Sequence, residues 1–131
     1  MIITRLCHGK DLISEIERAC EDKRIKTGWV IVIGALKNVT YGFYDQISKQ
    51  YMKKSFDKEC EITSCTGNVS ILDNNIFVHA HINFADKDGN VRGGHIFSGE
   101  IFAAEILIFD YKEILIREFN EETNLKLWKT N

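Results

Sequence analysis

The sequence predicts an α+β protein, a mostly antiparallel β-sheet with a few flanking helices, and three observations carry that reading. Clear helical spacing occurs once, near the N-terminus. Most of the remaining apolar residues fall in short runs, continuous or alternating, and those runs are separated by brief segments of Gly, Asn and Asp. Short connections favour antiparallel neighbours, because a parallel pair needs a long crossover.

The helix is read at Asp11 to Lys26, "DLISEIERACEDKRIK", where Leu12, Ile13, Ile16, Ala19 and Cys20 share one face. Asp11 is placed to cap its start and Gly28 to end it. Next comes "WVIVIGALKNVTYGFYD": a β-branched run whose Trp29 to Ile33 portion reads as buried on both faces, a turn near Lys37 and Asn38, and a second strand. Further strands are read at "CEITSC", "NVSIL", "IFVHAHINFA" and "IFAAEILIFD", separated by "TGN", "DNN" and "DKDGN". The chain contains no proline, so its turns rest on Gly, Asn and Asp.

At 131 residues, 44% hydrophobic and 27% charged, the expectation is one domain over residues 1–131 with an ordinary apolar core. The longest apolar run, Ile101 to Phe109, is interrupted by Glu105 and falls well short of the roughly 20 residues of a membrane-spanning helix. Cys7, Cys20, Cys60 and Cys65 form no CxxC pair, and no signal peptide is read, so reduced thiols and a cytoplasmic location are expected. Lys plus Arg number 17 against 19 for Asp plus Glu, a net charge of −2 that offers no global attraction to a phosphate backbone.

Three of the four histidines fall within "FVHAHINFADKDGNVRGGH". In "FVHAHINFA" the apolar Val78, Ala80, Ile82 and Phe84 alternate with His79, His81, Asn83 and Ala85, so His79 and His81 share a strand face. The position of His95 depends on the turn. A two-residue turn at Asp88 and Gly89 sets Ile82 opposite His95 and breaks the cluster. A three-residue loop, Lys87 to Gly89 with Gly89 left-handed, pairs Asp86 with Asn90 and sets His81 opposite His95. Gly93 and Gly94 could add a bulge and reset either register. Three histidines with an open fourth position are a ligand set of catalytic zinc, whereas a merely histidine-rich surface is the plainer reading. His8 stands apart with no nearby partner.

Glu105, in the middle of an apolar run, needs a cation, a donor or a proton if it is buried. It is a weak candidate for a general acid or base, against the alternative of a glutamate facing a subunit contact. In "SKQYMKKSFDK" the lysines are interleaved with Tyr51 and Phe56. Lys53 and Lys54 are therefore weak candidates for nucleic-acid contacts, against lysines guarding a solvated edge.

"TGNVS", "VHAHINFADKDGNVRGGH" and "GEIFAAEILI", in that order, resemble the signature of the PPC (plants and prokaryotes conserved) domain, also called domain of unknown function 296. "RLCHGKDL" looks like the family's opening, "WVIVIGALKNVTYGFYD" its paired central strands and "IREFNEETNLKLW" its closing segment. The resemblance implies an α+β domain assembled as a homotrimer, with His79, His81 and His95 holding a divalent metal, zinc first among them. Glu105 matches an acidic residue of the family's last long strand. Plant relatives join the domain to AT-hooks, the source of the label "predicted DNA-binding". This chain lacks the Arg-Gly-Arg-Pro core of an AT-hook, which puts direct DNA binding in doubt.

The expected function is a homotrimeric metal-binding protein, partnered by itself and not by a membrane, with a DNA-associated regulatory role that nothing in the net charge supports. The alternative is a metal-dependent enzyme of unknown substrate, and a weaker third reading is a metal or ligand sensor. No nucleophile elbow, P-loop, dinucleotide fingerprint or HExxH motif is present.

Overall fold

A computed structural model describes residues 1–129. Strand β1 (Ile2–Leu6) leads to helix α1 (Leu12–Asp22), then β2 (Gly28–Leu36), β3 (Val39–Asp45), β4 (Gln50–Phe56), β5 (Cys60–Leu72), β6 (Asn75–Ala85), β7 (Val91–Ser98), β8 (Ile101–Asp110), β9 (Arg117–Asn120) and β10 (Leu125–Trp128). The first eight strands form one antiparallel sheet in the order β1-β8-β2-β5-β6-β7-β3-β4, and β9 and β10 form a separate ribbon. The antiparallel expectation holds. The few flanking helices reduce to one among the described residues.

Helix α1 begins where expected, with the Asp11 carboxylate accepting from the Ser14 N–H at 3.0 Å. It ends earlier than expected, at Lys23, with Arg24 taking the left-handed conformation at φ 58°; Gly28 instead opens β2. The apolar face of α1, Leu12, Ile16, Ala19 and Cys20, packs against one face of the sheet around Val30, Val32, Cys65, Val69, Ala80, Ile82 and Phe84. Glu15 is buried on the same helix. It accepts from the Cys7 N–H at 2.9 Å and from Arg18 at 2.8 and 2.9 Å, and Arg18 first among these donors pulls its carboxyl down to about 2.

The opposite face of the sheet corrects the reading of Trp29 to Ile33. This run alternates: Val30 and Val32 are fully buried, whereas Trp29, Ile31 and Ile33 are 47%, 38% and 54% exposed. Helix α1 covers the side where Val30 and Val32 point, whereas on the other side the β9–β10 ribbon lies over β5 and β6, where Arg117 reaches Ser70 and Asn68, and leaves this part of β2 open. Ile3 and Phe109 lie on the same uncovered face. β2 and β3 also do not pair with each other. β2 sits between β8 and β5, and β3 between β7 and β4, so the turn at Lys37 and Asn38 carries the chain across the sheet.

"TGN" is likewise no turn, since β5 runs unbroken from Cys60 to Leu72. Gly67 sits mid-strand, where a Cβ would lie 2.4 Å from the His79 carbonyl oxygen, so its glycine serves close strand approach. "DNN" is a true hairpin turn. Asp73 and Asn74 both take positive φ, at 49° and 65°, as a two-residue type I′ connection requires. All four cysteines are free, Cys7 exposed and Cys20, Cys60 and Cys65 buried. No helix among the described residues is long and apolar enough to cross a membrane.

Candidate metal centre

The site follows from how the chain turns between β6 and β7. Asp86 exchanges backbone hydrogen bonds with the loop, donating to the Asn90 carbonyl at 3.1 Å and accepting from the Gly89 N–H at 2.9 Å. Gly89 has φ 80°, the left-handed residue of a three-residue hairpin loop. The Asp86 side chain locks the loop by accepting from the N–H groups of Asp88 and Asn90, both at 3.0 Å, and from Arg92 at 2.9 Å. These donors, Arg92 first, lower its carboxyl to about 2. Of the two hairpin solutions, the three-residue one is realised. His81 falls directly opposite His95, and the pairing runs on through Gly93 and Gly94 without a shift.

His79, His81 and His95 converge on the face of the sheet away from α1. Their ring centroids are 5.2, 5.2 and 5.6 Å apart, and one nitrogen from each lies within 4.8 Å of the others. Aromatic neighbours fix the rings: Tyr51 lies 4.9 Å and Phe97 4.7 Å from His95, and Tyr44 backs Tyr51 at 4.9 Å. Burial, and secondarily the neighbouring Arg117 and His81, push His79 down from 6.5 to about 4. Burial followed by His79, His81 and Lys53 does the same to His95. Both are therefore neutral at physiological pH, the state in which imidazole offers a lone pair to a metal.

The fit to a cation rests on one unfilled valence. His95 Nδ1 is buried and has no hydrogen-bond partner, the kind of orphan that costs free energy unless something fills it. A divalent ion held by the three imidazoles would give that ring a partner and keep further positions open.

The other predicted residues do not join this cluster. Glu105 is exposed on β8, three strands from β6 in the sheet order, opposite Arg5 of β1 and Ile33 of β2. β8 alternates and leaves Glu105 exposed on its uncovered face, so the burial that would have demanded a partner does not arise in the single chain. Lys53 and Lys54 are successive residues of β4 and so project to opposite faces. Lys53 alone reaches the histidine side, its Nζ 4.3 Å from the centre of the Phe97 ring. His8 is not without a partner, since its Nδ1 lies 2.7 Å from the Phe102 carbonyl oxygen. Three residues of the site are not marked by the sequence. Tyr51 reads only as part of a basic stretch, Phe97 has no motif around it, and Arg117 is absorbed into the closing segment.

Comparison with known proteins agrees with this arrangement. The profile of the Plants and Prokaryotes Conserved (PCC) domain matches residues 1–112. The chain belongs to the Plants and Prokaryotes Conserved domain family. Among solved structures, a metal-containing protein from Archaeoglobus fulgidus is 42% identical with a TM-score of 0.93, over 98% of this chain and 92% of that one. A plant- and prokaryote-conserved protein from Pyrococcus horikoshii is 34% identical with a TM-score of 0.92, over 99% and 91%. A provisionally assigned DNA-binding protein from Bacteroides thetaiotaomicron is 27% identical with a TM-score of 0.91, over 97% and 90%. The bifunctional protein GlmU of Synechococcus sp. (strain JA-3-3Ab) is 31% identical over 112 residues, 83% of this chain. This PCC-domain chain spans only 17% of that protein's length.

Proposed function

We propose that this chain is a homotrimeric PCC-domain protein that binds a divalent metal, zinc first, through His79, His81 and His95. The observation that carries the reading is the meeting of three rings, two held neutral by burial, one of which, His95, has a buried Nδ1 with no hydrogen-bond partner. A divalent metal would supply a Lewis-acid centre with an open position. The chain's own part is to orient the rings through the Asp86 loop and the aromatic wall of Tyr51 and Phe97. The metal-containing relative from Archaeoglobus fulgidus supports the same reading.

Support for the trimer is the uncovered apolar face of Ile3, Trp29, Ile31, Ile33 and Phe109. A DNA-associated regulatory role draws support from what the Bacteroides relative is described as, and little from the chain itself, since Lys53 and Lys54 diverge. The alternative, a metal-dependent enzyme, draws on the same three-histidine set. It lacks Glu105 as an acid or base within the site.

The deciding experiment is elemental analysis of the untagged protein beside the triple variant H79A/H81A/H95A, with circular dichroism to confirm that both fold. Near-stoichiometric metal in the parent and none in the folded variant is the expected result. Equal metal content in the two would sink the assignment.

A further inference from the structure

The histidine face carries more positive charge than its metal-ligating role requires. Arg117 is only 7% exposed, and its guanidinium donates to the Ser70 hydroxyl at 2.8 Å, the Lys126 carbonyl at 2.7 Å and the Asn68 side-chain oxygen at 2.7 Å. All three acceptors are neutral, and among the described residues no carboxylate pairs with it. A buried cation held only by neutral acceptors leaves its charge uncompensated. It lies beside the cluster: Asn68 is directly opposite His79, and the guanidinium stacks 5.1 Å from Phe77, two residues along the same strand face.

Lys53 adds a second charge from the other side. It is paired across the sheet with Gly42, which is paired in turn with His95. Gly42 has no side chain, and the Phe97 ring fills the space between Lys53 and His95, its edge 3.0 Å from where a Cβ at Gly42 would lie. Lys53 is exposed and forms no ion pair among the described residues. The cluster is made of three imidazoles with no carboxylate or thiol among them, so two cations flank a centre that contains no acidic side chain.

We infer that this face receives an organic carboxylate, with Lys53 as its direct cationic contact and Arg117 as a fixed positive charge behind His79. The inference rests on the metal reading for the full strength of the site, because the ion would add its own attraction. Tyr51 and Phe97 border His95, and Trp128 lies 5.5 Å from the Arg117 guanidinium, so the two charges sit among aromatic rings. Apolar walls favour a carboxylate with a hydrocarbon body over a fully hydrated inorganic anion. The single exposed lysine supplies the point charge that a carboxylate head needs.

The test is calorimetric titration of benzoate, and in parallel of inorganic phosphate, into metal-loaded and metal-free protein and into Lys53→Met with its metal content measured. Lys53 is exposed, so the variant folds as the parent does. Benzoate should bind the loaded parent more tightly than phosphate does, and the variant should bind it about tenfold more weakly at unchanged metal content. Equal benzoate affinity in the variant, no benzoate binding by fully metal-loaded parent, or tighter phosphate than benzoate would each overturn the carboxylate site and leave the metal reading intact. If the protein takes up no metal yet binds benzoate through Lys53, the carboxylate site stands and the metal reading falls. Binding of neither overturns both.

Discussion

His81 is the exposed member of the triad and His95 the half-buried one with an orphaned nitrogen, so the two respond differently to loss. His81→Ala removes a ligand without opening a hole in the packing. It should cost most of the bound metal, read by elemental analysis, with a change in unfolding free energy within about 0.5 kcal/mol for the metal-free protein. Retention of stoichiometric metal would contradict its place in the set. Acid acts on the other two. His79 and His95 have folded values near 4 against an ordinary 6.5, so the folded state binds fewer protons than the unfolded chain between those values. The stability they contribute is present above pH 6.5 and is lost as pH falls through 4, whereas protons compete with the metal for the folded rings only as pH nears and passes 4. Metal content measured after dialysis should therefore hold above that point and fall below it. A metal content unchanged well below pH 4 would exclude histidine as the donor. The pairing of His79 with His81 is legible from alternation alone, because strand period decides it. The orphaned nitrogen and the charge of Arg117 are not, because both depend on partners distant in the chain.

At the scale of the strand pair, two glycines hold the site for different reasons and should fail differently. Gly89 sits at φ 80° with nothing within 4 Å of the point a Cβ would occupy, so Gly89→Ala meets backbone strain and no clash. It should cost about 1 kcal/mol in urea unfolding and leave the metal in place. Gly67→Ala instead drives a methyl group to 2.4 Å from the His79 carbonyl oxygen, pushing β6 off β5 at a ligand residue. Its unfolding cost should be on the order of 2 kcal/mol or more, with metal affinity reduced as well. Equal metal affinity in the two variants would show that β5 does not position His79. The hairpin is legible in the sequence as two alternatives, since "DKDGN" allows either loop, and what selects between them is the Asp86 carboxylate accepting from Asp88, Asn90 and Arg92. "TGN" and "VIVIG" mislead for a common reason. Glycine marks both turns and close strand contacts, and a continuous apolar run marks both a fully buried strand and a strand with one uncovered apolar face.

For the whole molecule, the uncovered side of the sheet is the feature that a lone chain leaves unsolved. One helix covers one face, while Ile3, 74% exposed, and Phe109, 42% exposed, join Trp29, Ile31 and Ile33 on the other. These residues are contiguous, because β1, β8 and β2 are neighbours and Ile3, Leu107 and Ile31 are cross-strand partners in one row. A contiguous apolar face of this kind is what an obligate interface covers, and each half-exposed Ile or Trp gains on the order of 1 kcal/mol when water is removed from it. Glu105 lies in the same face opposite Arg5 and Ile33, so a trimer built through this face would place it at a subunit boundary. Ile31→Glu puts an unpaired carboxylate at the centre of the row, between Thr66 and Leu107, without adding a like charge directly across either strand. A charge there is readily solvated in the monomer and costs several kcal/mol in an interface. Light scattering after size exclusion should therefore report three times the 15.1 kDa chain mass for the parent and the single chain mass for the variant, with the sheet signal in circular dichroism preserved. A monomeric parent, or a variant that stays trimeric, would remove this face from the assembly and leave its apolar residues without an account. The histidine face lies on the same side of the sheet, two strands beyond β2, so the same pair of samples should also be assayed for metal: a monomeric variant that keeps its metal would establish that one chain completes the centre by itself.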